Sequence, residues 1–505
     1  MEIQDFSPSR RVFLKKIAAA ASAVYINSFI AACRTSATAT TFSDSEVDVE
    51  LELAAVPDDV QIFPGVLTNV WRYQGKVIKG PTETLEIIPE SYLGPIIHLK
   101  TGQNVKITFR NDLLEPSIIH WHGLHVPEAA DGHPRLVIDP GQEYMYEFTM
   151  MDRAGTYWYH PHPHGKTGPQ VYKGLAGLII IHDAEENSLD LPQGQYDLPI
   201  VIQDRAFDES NQFIYATSRM DQMMGFLGNT LLINGLIQEK ISVEARSYRL
   251  RLLNGSNSRI YKIAWSDKSP LVIIGTDGGL LEEPIYREYI TLAPAQRIDA
   301  WVDFSKYPIG STLELVNQSN STPGGNNPFT ITSFSIGNDA SDTTSLPPTL
   351  SRIAPHDPSK AVNAGSPRLF SLQMGMRMVW NINGRTFEME DVASNEKVKL
   401  GDLELWQFEN TGGQGMGMLL PHPMHIHGLQ FQIIDRQIDP RYQDIYSSIS
   451  DGLIDAGWHD TVLVMPGEKV TVLMRFEDFE GLYLYHCHNL EHEDMGMMRN
   501  YRVSA

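Results

Sequence analysis

Cysteine is almost absent from this chain. Its 505 residues contain two, Cys33 and Cys487, so no disulfide framework holds the fold. None is possible within the chain if the N-terminal segment carrying Cys33 is removed. Positive charge is short as well. Lys and Arg number 40 against 62 Asp and Glu, a net charge of −22, which argues against a nucleic-acid partner and suits cationic or neutral small substrates. The apolar run from Ile17 to Ile30 falls short of the ~20 residues a membrane-spanning helix needs.

That run follows Ser9-Arg10-Arg11-Val12-Phe13-Leu14-Lys15, a twin-arginine export motif. The expected location is therefore periplasmic or otherwise extracytoplasmic. Ile30-Ala31-Ala32-Cys33 resembles a lipobox with Cys33 as a possible lipid anchor; cleavage after Ala37-Thr38-Ala39 is the alternative. Residues 1–40 read as the signal peptide, and 41–55, rich in small, hydroxyl and acidic residues, as a flexible tether.

What the chain has in quantity is patterned histidine. Ten of its 17 histidines fall in four motifs: His120-Trp121-His122, His160-Pro161-His162, His422-Pro423-Met424-His425-Ile426-His427, and His486-Cys487-His488 with His492 following. Strand side chains alternate faces, so each H-x-H places two imidazoles on one face. In His486-Cys487-His488 the thiolate points opposite to both rings, and one segment can serve two metal centres. His422 stands an odd step from His425 and is expected to face elsewhere. A protease-type Cys/His pair leaves the other three motifs unexplained. Structural zinc prefers four closed ligands per site and has no use for a thiolate bridging to a second cluster.

An internal repeat sets the architecture. Pro140 to Gly155 and Pro466 to Gly481 are both 15 residues apart, each followed by an aromatic strand ending in His-x-His. Gly102–Asn111 and Gly401–Asn410 share a nine-position frame, repeated without histidines in Ala245–Asn254. The two H-x-H motifs are 40 residues apart in the first copy and 61 in the last, which predicts a loop insertion between about Gln437 and His459. The expected fold is all-β: three Greek-key β-sandwiches of cupredoxin type at 56–186, 187–345 and 346–505, the middle one without metal ligands.

This four-motif set resembles the multicopper oxidases, a family that includes laccases, bilirubin oxidase and bacterial cuprous oxidases. The resemblance implies four copper ions. His422, Cys487 and His492 would hold a type 1 copper, with Met497 as weak axial ligand; Met495 and Met498 compete for that place, and family spacing favours Met497. His120 and His425 would hold a type 2 copper, and His122, His160, His162, His427, His486 and His488 a type 3 pair. Asp131 and Glu493 match acidic positions the family uses to supply protons. The implied partners are dioxygen and a small reductant: a phenol, an aromatic amine or a metal ion. The first expectation is a laccase-like oxidase of phenolic substrates that reduces dioxygen to water. The alternative is a periplasmic metallo-oxidase of Cu(I), Fe(II) or Mn(II), and the third a non-catalytic copper-binding or scaffold protein.

The 19 methionines bear on that choice, because thioethers select Cu(I). Met220, Met223 and Met224 cluster, as do Met374, Met376 and Met378, and Met416 and Met418 precede His422. Core filling is the competing reading. Asn338–Gly365 contains no methionine, so the insertion that covers type 1 copper in cuprous oxidases is missing, and an uncovered site open to bulky phenols is expected. His164 is expected to support the site without ligating metal. His125 and His133 are expected near it.

Overall fold

Alternating residues decide the first strand. In Val49-Glu50-Leu51-Glu52-Leu53-Ala54-Ala55 the odd positions are buried and the acids face outward. Val49–Val60 pairs antiparallel with Thr68–Lys79 and parallel with Asn104–Asn111. The segment expected as a tether to residue 55 is therefore an inner strand from Val49 on. Its acids belong to the solvent face of a period-two pattern, and composition alone hides that period.

The computed structural model describes residues 42–237, 240–340, 344–375, 378–411 and 419–505. The twin-arginine motif, the apolar run, Cys33, Met376, Met416 and Met418 lie outside these residues.

Strands between Val49 and His182 form a four-stranded and a five-stranded sheet. Their inner faces share one core that includes Leu51, Ile107, Phe109, Trp121, Tyr146 and Ile179. Strands from Asp197 to Asp339 form a seven-stranded and a five-stranded sheet around Leu250, Ile273, Leu315 and Phe334. Strands from Arg368 to Ser504 form two five-stranded sheets around Phe370, Trp406, Val472 and Tyr485. Fully burying one such side chain contributes roughly 1.5–3 kcal/mol. The fold is all-β, with only short helices among the described residues.

The repeated frame has one physical purpose in all three sandwiches. Asn104–Asn111, Ser247–Asn254 and Leu403–Glu409 are central strands. Just past or at each end, a buried asparagine ties two carbonyls of the following chain. Asn111 Nδ2 donates to Glu115 and Ile138, Asn254 Nδ2 to Arg259 and Leu292, and Asn410 Nδ2 to Leu420 and Val464. The side-chain amide thus satisfies backbone groups where the ladder stops.

The extra residues after Gln437 form helical turns: Pro440–Tyr442, Gln443–Ser447 and Ser450–Gly452. They dock on the middle sandwich, where Ile449 packs with Ile260 and Ala293 and accepts a hydrogen bond from Thr291.

Candidate metal centre

Two strand pairs, one from each outer sandwich, carry the histidines. Ile119–His122 pairs antiparallel with Gly155–Pro161 and sets His120 opposite His160. His422–Ile426 pairs with Gly481–Cys487 and sets His425 opposite His486. His162, His427 and His488 lie just beyond the strand ends. The first and third sandwiches then bring eight rings together. His120 stacks on His427, and His122 on His425, each at 3.7 Å between centroids. His160 meets His488 at 5.2 Å and His162 meets His486 at 5.0 Å. All eight are buried.

Their ring nitrogens converge. Nε2 of His120 and His425 are 3.3 Å apart, as are Nε2 of His162 and His486; Nε2 of His427 and His486 are 3.0 Å apart. Two nitrogens bound ~2.0 Å from one ion at a tetrahedral angle would be about 3.3 Å apart. Outer hydrogen bonds fix the tautomers. Nδ1 of His120 donates to the Asp131 carbonyl at 2.6 Å, Nδ1 of His425 to the Asp460 carbonyl at 2.8 Å, and Nδ1 of His427 to the Asp131 carboxylate at 2.9 Å. These bonds leave Nε2 free to ligate. His122 is reversed: Nε2 faces the Asp460 carboxylate at 3.0 Å and the Thr461 hydroxyl at 3.2 Å, and Nδ1 has no partner among the described residues.

His160 Nε2 and both nitrogens of His488 are also buried without partners among the described residues. An unsatisfied buried polar atom costs about 1–3 kcal/mol, and a cluster of them in one place fits a metal centre. Burial, with neighbouring rings adding to it, lowers the pKa values of His120, His122, His162, His425, His427 and His488, and that of His160 to about 4. These rings are neutral ligands at neutral pH.

A second, smaller centre lies on the other side of Cys487. His422 Nδ1 and His492 Nδ1 are 3.2 Å apart, and Cys487 Sγ is 3.4 and 3.7 Å from them. All three are buried. Burial raises the Cys487 thiol pKa, a penalty that a metal–thiolate bond removes. His422 therefore sits with Cys487 and His492, apart from His425 and His427. Met497 packs in the same core as Cys487, and its backbone bonds both Cys487 N and His492 O. Met498 faces Phe387 and Leu484 instead, and Met495 is half-buried.

Both predicted acids border the larger centre. Asp131 lies wholly buried between His427 and His120, and burial pushes its pKa up. Glu493 lies 3.2 Å from His486 Nδ1 and 3.7 Å from His162 Nε2. His164 packs on Phe387 outside the eight rings. His125 links Gly428 to Asp478, and His133 is buried against Asn500.

The smaller centre is covered, contrary to the expected open site. The helix Arg219–Met224 of the middle sandwich lies over it. The carbonyl of Met223 accepts from His492 Nε2 at 3.1 Å and from Trp380 Nε1 at 2.9 Å. Trp380 packs on His492 and His422 at 4.6 and 4.8 Å. Met223, Met224, Met374, Met378 and Met495 all pack in this core. Glu491 ties down both ends of the cover: Tyr215 OH donates to it at 2.7 Å and Phe226 N at 3.1 Å. The absence of methionine in Asn338–Gly365 said nothing about this cover, which comes from another domain. The cluster Met220, Met223 and Met224 was its only sequence signal.

Two further residues serve the larger centre: Asp460, whose segment Gly457–Val462 resembles the stretch near the mononuclear copper in bacterial members of the family, and Arg297, which no motif marks. Asp460 holds rings from both outer sandwiches, and Arg297 of the middle one holds Asp460. Separations of 338 and 163 residues put these contacts beyond any local pattern.

Comparison with known proteins agrees with the geometry. Multicopper oxidase family models match residues 70–186 and 361–505. A multicopper oxidase of Staphylococcus haemolyticus is 34% identical over 412 residues, 82% of each chain. A laccase of Bacillus stratosphericus is 31% identical over 86% of this chain and 90% of its own. The crystal structure of the multicopper oxidase McoA from Aquifex aeolicus is 35% identical and superposes with a TM-score of 0.77, covering 92% of this chain and all of that one. The chain belongs to the multicopper oxidases.

Proposed function

We propose that this oxidase couples one-electron oxidation of a small reductant at the Cys487 centre to four-electron reduction of dioxygen to water at the eight-histidine centre. The observation that carries this reading is His486-Cys487-His488, whose side chains enter two separate buried assemblies. His422, Cys487 and His492, with Met497, would hold one copper. His120 and His425 would hold a second, and His122, His160, His162, His427, His486 and His488 a further pair. Bound there, copper would supply the one-electron redox steps and the reduction of dioxygen.

The chain's own residues do the rest. The Cys487 backbone joins its thiolate to His486 and His488 through a few covalent bonds. Glu493 and Asp131, buried beside the rings, can hold and release protons where dioxygen takes them up. The cover keeps solvent from His422 and His492, both fully buried. The twin-arginine motif supports export, and Cys33 a lipid anchor.

The cover favours a small reductant over a bulky one. Its thioethers suit Cu(I), so cuprous ion is the substrate this chain would oxidise best. Relatives named laccase support the second reading, in which phenols donate electrons across the cover. Oxygen uptake with chelated Cu(I) and with a dimethoxyphenol, each with and without added Cu(II), separates them. Fast Cu(I) turnover, with phenol oxidised only when copper is added, supports the first. Fast phenol turnover independent of added copper favours the second. No uptake with either by the copper-loaded protein refutes an oxidase.

A further inference from the structure

The middle sandwich contributes no histidine to either centre, yet one of its side chains reaches the eight-histidine assembly. Arg297 is fully buried. Its guanidinium grips the Asp460 carboxylate with both forks, Nη1 to Oδ1 at 2.8 Å and Nη2 to Oδ2 at 2.5 Å. The remaining hydrogens go to the carbonyl of Thr156 in the first sandwich, at 2.9 Å, and to those of Asp277 and Ala295 in its own. Asp460 belongs to the third sandwich. It presents Oδ1 to His122 Nε2 at 3.0 Å and its backbone carbonyl to His425 Nδ1 at 2.8 Å.

From this we infer that Arg297 is a positioning residue for the metal cluster: by fixing the plane of the Asp460 carboxylate it sets the ring of His122, and with it the nitrogen His122 offers to metal. This inference rests on the eight rings being a copper site. His122 is the ring whose tautomer is reversed, and Asp460 is the reason. The Thr461 hydroxyl also lies against Nε2, at 3.2 Å, but it donates to Asp460 Oδ1 at 2.9 Å and so is itself placed by that carboxylate, which leaves Nδ1 as the free atom. A lysine in place of Arg297 would carry the charge but could not span both oxygens in a plane.

The local backbone is built around the same contact. Gly123, directly after His122, has φ +90°, and a Cβ there would lie 2.4 Å from Asp460 Oδ2 and 2.9 Å from Arg297 Nη2. The glycine closing His-Trp-His-Gly leaves room for this ion pair. Gly428, which closes His425-Ile426-His427-Gly428, instead makes room for Tyr483.

A role in domain packing alone would also explain a buried arginine between sandwiches, and copper retention separates the two. The full-length, copper-loaded chain is compared with Arg297→Lys and Arg297→Gln, using a chelator to draw copper from the eight-histidine centre while the blue absorption of the Cys487 centre is followed. Arg249→Gln is the control, because it breaks buried ion pairs away from the rings, to Glu186 of the first sandwich and to Asp299 of the middle one. Loss of an outer ligand partner costs roughly 10- to 100-fold in metal affinity. R297K, which keeps the charge and is expected to fold, should lose copper from the cluster several-fold more readily, and R297Q more so, while the blue band persists. R249Q should lower the melting temperature and leave copper retention unchanged. Cluster copper held as tightly by R297K as by the wild type overturns the inference. A wild-type chain that takes up no copper in this centre overturns the inference and the oxidase reading together.

Discussion

Replacing Glu491 with glutamine should open the cover over His492. The carboxylate is buried and accepts four hydrogen bonds, from Tyr215 OH and Asn257 Nδ2 on one oxygen and from Phe226 N and Ser258 Oγ on the other. Glutamine keeps one acceptor and turns an NH2 group towards donors. The hydroxyls of Tyr215 or Ser258 can rotate to accept, but Phe226 N–H and the Asn257 amide cannot. One bond is therefore lost, and the others fall from charge-assisted strength, about 1.5–3 kcal/mol, to about 1 kcal/mol each. Burial already pushes the Glu491 pKa up, so removing the charge offsets part of the loss. A net loosening of about 2 kcal/mol makes the open cover roughly 30-fold more populated. Hydrogen exchange at the Phe226 amide should rise by that factor. The kcat/KM for a dimethoxyphenol should rise with it, while Cu(I) oxidation should not, and the blue absorption should stay. Unchanged exchange and unchanged phenol turnover in a folded E491Q protein would refute the latch.

Other outcomes follow from the same contacts. Cys487→Ser should abolish blue colour and turnover while the eight-histidine centre still binds copper; full activity in this variant would end the proposed electron path. Glu493→Gln should slow reoxidation of the reduced enzyme by dioxygen more than it slows reduction of the Cys487 centre, measured as separate stopped-flow phases. His133→Gln should reduce acid sensitivity. Burial lowers the folded-state pKa of His133 to about 4, and its Nδ1 faces the Arg135 N–H, where a second ring proton has no acceptor. The unfolded chain takes the proton first as pH falls from 6.5, so stability is lost between pH 6.5 and 4 by up to about 3 kcal/mol. Denaturant melts across that window should show a shallower loss in the variant.

Much of the site was legible because its pattern is local. H-x-H on a strand needs only alternation, and the odd step from His422 to His425 separates the two centres without any tertiary information. The repeated frames ending in Asn111, Asn254 and Asn410 announced three copies of one sandwich, and their shared capping bonds explain why the frame is kept. What escaped was of two kinds. In Val49–Ala55 composition suggests a tether, whereas the period of the buried residues decides for a strand. Arg297, Asp460 and the cover helix act across domain boundaries, and no periodicity encodes which distant segment docks on a site. The missing methionine insertion was a correct observation with a wrong consequence, because the middle sandwich covers the site by another route.

The most direct test of the coupling between the two centres is the ratio of reductant to oxygen consumed by the copper-loaded enzyme, with peroxide assayed in the same vessel. Four one-electron equivalents per dioxygen, with no peroxide released, is the predicted result. Two equivalents per dioxygen with stoichiometric peroxide would contradict it.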